Sequence, residues 1–473
     1  MLKPQPLTDE AKAFRGLNID SIEGTVLATI INPKVRDVKS LKAGPRRAVP
    51  FRSLKKALTG GRGRHFILEC KKSSPTLGDF CRDFSLDRLL ACYESRASAI
   101  SVLCEEHFFK GSLDYLRYVR ERTSLPVICK DFIIDEVQLE AAASAGADAV
   151  LLMLSLLTRE RFLELYEKAS ALGLEVLCEV DSREDAIFAR DHRIPVVGIN
   201  NRDLRVLKID LQKARDLAPI FGPETTVVSE SGIASHEDLT SMAPINAFLI
   251  GSALSGADDV FFAANTMLYG VNKLCGITTM EALDAAIEGH AAICGLIFAR
   301  KSPRCVTLDF AKECVRRGHP QTRFAAVFVD EDPEEAARIV RESGCDYIQL
   351  HGSEDPDYIA RIRALLPGVG IIKAVKIRQP SDFEACRALA PHCDLMLLDS
   401  TAPGSGTSFD WNAIPDFIDR RRALISGGIG LENLRDALSL GFAGVDMNSR
   451  LEGEKGIKDP TLVRKAFGII REF

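Results

Sequence analysis

Val228 to Leu254 reads VSESGIASHEDLTSMAPINAFLIGSAL. A β-branched run ends in Ser-Glu-Ser-Gly-Ile, a helix-length polar segment follows, and a second apolar run closes on Gly251-Ser252. Leu424 to Glu452, LISGGIGLENLRDALSLGFAGVDMNSRLE, repeats the plan, with Gly427-Gly428 after its first apolar run and Asn448-Ser449 after its second. Glycines at a strand end let backbone N–H groups approach an anion closely, and a helix N-terminus behind them adds its dipole. The two stretches predict two phosphate sites. In a (β/α)8 barrel such a site lies after strands seven and eight.

Outward from these stretches the rhythm is regular. Upstream, strand-like runs fall at 65–71, 99–104, 126–130, 148–153, 174–179, 195–200, 225–229 and 247–251. Helix-period segments such as 87–97, 137–145 and 159–172 lie between them. Downstream the count restarts at 272–275, 292–298, 324–329, 346–350, 370–375, 394–399, 423–426 and 443–447. Alternating strands and helices predict a parallel sheet, and its strands, covered on both faces, read as continuous apolar runs such as AVLLML. The fold class expected is α/β, two fused (β/α)8 TIM barrels. The domains expected are 1–270, a barrel with an N-terminal helical extension, and 271–473, a second and smaller barrel. Asp258–Tyr269 reads as the last helix of the first barrel, and Gly270-Val271 as a linker too short to be a flexible tether. Residues 1–64 form a prelude, with helical spacing over 26–38 and a basic stretch over 41–57. Either it is helices packed at a barrel end, or its basic part is a lip over an anionic substrate.

A length of 473 residues suits two or three domains, and 46% hydrophobic with 27% charged residues is an ordinary globular balance. A net charge of -5 argues against a general binder of nucleic acid or anionic membrane, so any anion site must be built locally. No apolar run reaches the ~18 residues a membrane span needs. The opening MLKPQPLTDEAKAF lacks the apolar core of a secretory leader. The 13 cysteines are scattered and contain no C-x-x-C pair, which reads as reduced thiols and a cytoplasmic setting. The histidines show no zinc spacing, so no metal is expected.

Catalytic groups in such barrels stand at the C-terminal strand ends. In the first barrel these are Glu69 and Lys71, Lys130, Glu179, Asn200 with Arg202 just beyond, and Glu230. Two lysines and three glutamates at one rim suit acid–base chemistry on a carbonyl or amine; a closing layer of ion pairs, or a Schiff-base lysine, are the alternatives. In the second barrel Cys275 and Asp399 end strands one and six. A thiol base opposite a carboxylic acid suits an aldose–ketose shift. Arg304 comes from loop two, and Asp446 from strand eight. His351 ends strand four, where a packing histidine is the plainer reading. The turn Gly404-Ser405-Gly406 reads as a cover over a ligand.

ECKKSSP, CKDFI, GINNRDL, SESGI and FLIGSAL, in this order over about residues 20–268, resemble indole-3-glycerol-phosphate synthase. KLCGIT, SPRCV, QLHG, LLDSTAPGSG followed by FDW, SGGIG and GVDMNSR, over about 272–473, resemble N-(5′-phosphoribosyl)anthranilate isomerase. The resemblance implies a bifunctional enzyme of tryptophan biosynthesis that acts on phosphorylated anthranilate-bearing sugars, with no cofactor, expected as a monomer. For the first barrel it implies Lys130 as general acid, Glu179 as its partner in dehydration and Lys71 on the substrate carboxylate. Glu69, Asn200 and Glu230 would orient hydroxyls and lysines, and Ser74, Ser231, Gly232, Gly251 and Ser252 would hold phosphate. Arg202 would salt-link near the anthranilate end, and Phe109 and Phe132 would wall the ring, plain packing being the alternative for both. For the second barrel it implies Cys275 as base, Asp399 as acid, Arg304 on the anthranilate carboxylate and Asp446 on a sugar hydroxyl. Gly427, Gly428, Asn448 and Ser449 would take the phosphate. Arg450 departs from the small residue usual there; it either adds a phosphate contact or turns outward.

Overall fold

The computed structural model describes residues 2–45, 49–61, 63–400 and 409–473. The chain forms two compact units, Met1–Val260 and Phe261–Phe473.

The first unit is a closed parallel barrel of β1 (His65–Cys70), β2 (Ala99–Leu103), β3 (Val127–Lys130), β4 (Ala149–Met153), β5 (Glu175–Val180), β6 (Val196–Asn200), β7 (Thr226–Glu230) and β8 (Ala247–Ile250). Pairing of β1 with both β2 and β8 closes it, with Ile67 opposite Ala99 and His65 opposite Ala247. Every residue of β1, β2, β4 and β6 is buried, as the continuous apolar runs require. The helices between start on side-chain caps: Ser112, Asp135, Thr158 and Ser182 each accept from a backbone N–H of the first turn. Asp135 with Gln138 and Ser182 with Asp185 complete capping boxes, so these helix starts are fixed by local sequence.

The prelude divides between the two ends of this barrel. Helix Val26–Ser40, capped by Thr25, is tied to β3 by an ion pair of Lys34 Nζ with Asp131 at 2.8 Å. Its Val26, Leu27 and Ile30 face the cavity at the C-terminal strand ends. Residues 52–55 of the basic stretch do not lie there. Arg52 N donates to Asp148 Oδ1, just before β4, and Ser53 Oγ and Lys55 N donate to Glu175 at the start of β5. These acceptors stand at the N-terminal strand ends, so they draw residues 52–55 to the opposite face of the barrel.

The second unit closes in the same way through β9 (Lys273–Cys275), β10 (Ile293–Ile297), β11 (Arg323–Phe328), β12 (Tyr347–Leu350), β13 (Gly370–Ile377), β14 (Leu395–Ser400), β15 (Ala423–Ile425) and β16 (Gly444–Met447). Ile293, Ala325, Ile372, Ala374, Leu397 and Leu424 fill its interior. The helix Val260–Tyr269, read from sequence as the end of the first barrel, falls almost wholly in this unit. Asn265 on it donates to the carbonyls of Ala291 and Gln321, and Tyr269 stacks on His290. Two short hairpins were not foreseen: Arg202–Asp203 with Lys208–Ile209, and Glu452–Glu454 with Ile457–Lys458. Among the described residues no helix is long and apolar enough to cross a membrane.

Candidate active sites

The ends of β1, β3, β5, β6 and β7 converge on one cavity, which Glu69, Lys71, Lys130, Glu179, Asn200 and Glu230 all line. Lys130 Nζ donates to Glu230 Oε2, and Asn200 Nδ2 donates to Glu179 Oε1 at 3.1 Å. Lys71 Nζ lies 3.4 Å from Glu69 Oε1 and 5.2 Å from the Phe109 ring centroid. Room for Glu230 comes from Gly198 on β6, where a Cβ would stand 1.8 Å from Glu230 Oε1. That oxygen is buried and without a hydrogen bond among the described residues.

Burial sets the proton inventory. It drives the Glu179 carboxyl up, helped by the Glu230 charge and opposed by Lys130 and Asn200, to about 7. Burial alone would lower Lys130, but Glu230, Glu179 and Glu69 outweigh it and hold the ammonium above its usual range. A Schiff-base lysine needs its free amine near neutral pH, so this environment opposes the aldolase alternative. It suits a hydrogen-bond donor beside a carboxyl that can both give and take a proton.

The turns expected to hold phosphate flank this cluster. Ser231 and Gly232 adopt positive φ of 66° and 86°, which turns the chain sharply after β7. Ser74, Ser231 and Ser252 line the cavity beside them, and Gly251 lies directly after β8. Phe109 and Phe132 line it as well, with ring centroids 6.1 Å apart. Glu105, which is fully buried, fixes the Phe109 loop by accepting from the N–H groups of His107, Phe108 and Phe109. Arg202 lines the cavity too. The hairpin it begins turns its guanidinium onto the Leu207 carbonyl.

In the second barrel Cys275, Arg304, His351, Asp399, Asp446 and the Gly427-Gly428 turn line one cavity, with Asn448 and Ser449. Both ring nitrogens of His351 have partners: Nε2 lies 3.1 Å from Asp399 Oδ2, and Nδ1 lies 2.9 Å from Gln349 Nε2. With the amide N–H donating, His351 Nδ1 accepts and Nε2–H points at Asp399. Arg304 is gripped by Glu452, which accepts from Nε at 2.5 Å and Nη2 at 3.0 Å. Lys458 Nζ, wholly buried, donates to Glu452, to Asn448 Oδ1 and to the Gly276 carbonyl. Burial raises the Glu452 carboxyl, yet Arg304, the Gly456 N–H and Lys458 outweigh it and bring it down to about 2. Asp446, expected on a sugar hydroxyl, is paired with Lys273 at 2.9 Å. Arg450 turns outward to Glu432, its side chain 48% exposed. Gly404, Ser405 and Gly406 lie outside the described residues. Lys273, Glu452 and Lys458 were missed from sequence; Lys273 alone left a signal, standing two residues before Cys275 and so on the same face of its strand. Among the described residues no group of three or more His, Cys, Asp or Glu side chains is placed to hold a metal ion.

A closed parallel barrel with titratable groups and glycine turns gathered at one rim is an architecture that enzymes of phosphorylated small molecules use, and the chain holds two. Residues 21–267 match the family model for indole-3-glycerol phosphate synthase, and residues 272–468 match that for N-(5′-phosphoribosyl)anthranilate isomerase. The chain is 38% identical over 464 residues to the tryptophan biosynthesis protein TrpCF of Vibrio parahaemolyticus, covering 95% of this chain and 94% of that one. It is 40% identical to the protein of that name from Salmonella typhi, over 88% of this chain and 91% of that one. A solved phosphoribosyl anthranilate isomerase from Thermus thermophilus is 28% identical, covering 42% of this chain and 96% of its own, with a TM-score of 0.39. The chain belongs to the TrpCF family of bifunctional tryptophan-biosynthesis enzymes, with its synthase domain N-terminal and its isomerase domain C-terminal.

Proposed function

We propose that the second barrel converts N-(5′-phosphoribosyl)anthranilate to 1-(2-carboxyphenylamino)-1-deoxyribulose 5-phosphate, and that the first converts this product to indole-3-glycerol phosphate, carbon dioxide and water. The observation that carries the reading is that each rim gathers proton-moving groups of opposite role beside glycine turns suited to phosphate. In the isomerase barrel Asp399 gives a proton to the ring oxygen as the sugar opens. Cys275, as thiolate, takes the proton from the neighbouring carbon, and the enol that results becomes the ketone. Arg304 faces the anthranilate carboxylate, and Gly427, Gly428, Asn448 and Ser449 hold the phosphate.

In the synthase barrel the Lys130 ammonium polarises the ketone, so the aromatic carbon bearing the carboxylate attacks it and the ring closes. Release of carbon dioxide from that carbon restores the ring electrons. Glu179 then supplies the proton with which the hydroxyl leaves as water, and its carboxylate takes back the proton lost from the ring carbon beside nitrogen as the indole forms. Lys71 grips the carboxylate before it is lost. Glu69, Asn200 and Glu230 align the lysines and the sugar hydroxyls. Ser74, Ser231, Gly232, Gly251 and Ser252 hold the phosphate, Phe109 and Phe132 wall the aromatic ring, and Arg202 faces its carboxylate end. We place the enzyme in the cytoplasm as a monomer; its cysteines are all free, which suits a reducing compartment.

The test supplies phosphoribosylanthranilate and follows indole fluorescence. Cys275→Ala is expected to abolish isomerase turnover and leave synthase turnover intact on the isomerised substrate. Joint loss, or survival of both, overturns the assignment.

A further inference from the structure

We propose that Lys273 is the electrostatic partner of the Cys275 thiolate, a positioning residue through which the isomerase barrel keeps its base ready; this rests on the reading of Cys275 as the base. Residues 273 and 275 share a face of β9, and that face looks into the barrel. The Lys273 side chain is 0% exposed, and Nζ lies 2.9 Å from Asp446 Oδ1. Opposite, on β10, stands Gly295. A Cβ there would be 2.7 Å from Cys275 Sγ and 3.0 Å from Lys273 Nζ. The absent side chain thus leaves sulfur and ammonium beside one shared space, and the Lys273 charge acts on the thiol as well as on Asp446.

A wholly buried ammonium is costly unless its charge is matched or used. The groups around the thiol are Lys273 on its own strand, Asp446 on β16, Cys294 on β10 and Lys458 on the C-terminal hairpin. Arg304 and Glu452 stand behind Gly276, where a Cβ would meet Arg304 Cδ and Lys458 Nζ. Asp399 and His351 face Asp446 across the cavity. Lys273, Lys458 and Arg304 are three cations, whereas Asp446 and Glu452 are two carboxylates. One positive charge is left over. Within this set of groups a Cys275 thiolate matches it. Burial pushes the Cys275 thiol up, and Lys273 is the largest influence against it. Asp446 and Cys275 in turn outweigh the burial that would lower Lys273, so the ammonium stays charged.

Lys273→Met removes the charge and keeps the bulk. The expected result is a loss of isomerase kcat/KM of about thirtyfold near neutral pH, with the rising limb of its pH profile moved up by about one unit or more. The deficit then shrinks as pH rises, while synthase turnover is unchanged. Lys273→Arg, which keeps the charge, should hold the limb near its original position. A loss equal at every pH, or none, overturns the proposal. A measurement on the intact enzyme stands if the Met variant does not fold: the pH dependence of iodoacetamide alkylation, read by peptide mass spectrometry. Cys294 on the next strand is as deeply buried, and burial pushes it up to about 12. Cys275 should titrate clearly below it; coincident midpoints overturn the proposal. Cys275→Ser separates the two ideas. If it keeps isomerase activity, the base assignment fails; if it is dead while Lys273→Met leaves the pH profile unmoved, only the inference about Lys273 fails.

Discussion

Glu179→Gln offers the sharpest check on how the synthase rim handles charge. The carboxyl is 4% exposed, and burial with Glu230 nearby lifts it from an ordinary 4.5 to about 7. A raised acid favours its protonated form in the folded state, so it contributes stability that is full below the unfolded value and lost as pH rises through the folded one. A displacement of that size, at about 1.4 kcal/mol per pH unit, makes ionised Glu179 cost the native state roughly 3 kcal/mol near pH 8. Glutamine keeps the Oε1 that accepts from Asn200 and carries no charge. The variant should therefore be more stable than the parent by about 2–3 kcal/mol near pH 8, and by under about 1 kcal/mol near pH 5. Urea titrations of the first unit at the two pH values, followed by circular dichroism, would measure this. Synthase turnover should fall at least about a hundredfold, because the proton donor for dehydration is gone. A stability gain equal at both pH values, or a loss greatest near pH 8, would refute the charge-burial account.

Gly198→Ala would drive a Cβ to 1.8 Å from Glu230 Oε1, displacing the partner of Lys130; synthase kcat is expected to fall more than about tenfold while isomerase rates hold. Glu452→Gln leaves Arg304 and Lys458 short of their shared anion, and loss of about 3 kcal/mol of stability is expected in denaturant titrations of the second unit. Because Glu452 is depressed to about 2, the stability it gives is present above its ordinary 4.5 and fades as pH falls toward 2, so the difference between parent and variant should narrow in that window. Lys34→Met unties the N-terminal helix from Asp131, and synthase KM should rise several-fold with little change in isomerase kinetics.

The strands were legible because a parallel barrel buries both faces of each, and AVLLML or ICGLI has one plausible use. The rims were legible because a charged residue ending such a run is conspicuous. Lys273 and Glu452 were missed for one cause: each pairs with a residue distant in sequence. Asp446 is 173 residues from Lys273, and Glu452 is 148 from Arg304. Read locally, Lys273 is merely a polar first residue of a strand. Arg202–Asp203 and Lys208–Ile209 are two-residue strands, too short for alternation to register. The basic stretch over 41–57 left two readings because composition cannot say which end of a barrel it serves; Asp148 and Glu175 decide that for residues 52–55 by capturing Arg52, Ser53 and Lys55.

The two rims reach proton transfer by opposite charge balances. At the ends of the synthase strands Glu69, Glu179 and Glu230 face Lys71 and Lys130, an excess of one negative charge if all are ionised. Removing that excess from a buried site means protonating one carboxyl. Glu179 takes the proton, since Glu230 has Lys130 against it and Glu69 has Lys71. On the proposed mechanism Lys273, Lys458 and Arg304 against Asp446 and Glu452 carry the reverse excess, and its release is the loss of a proton from Cys275. An acid for dehydration thus arises where carboxylates outnumber ammonium groups, and a thiolate base where cations outnumber carboxylates. On this view a neutral replacement at Lys71 should raise the proton affinity of the synthase rim further, moving its pH profile upward. A profile that moves downward would show that direct contacts, not the count of buried charges, decide which group titrates.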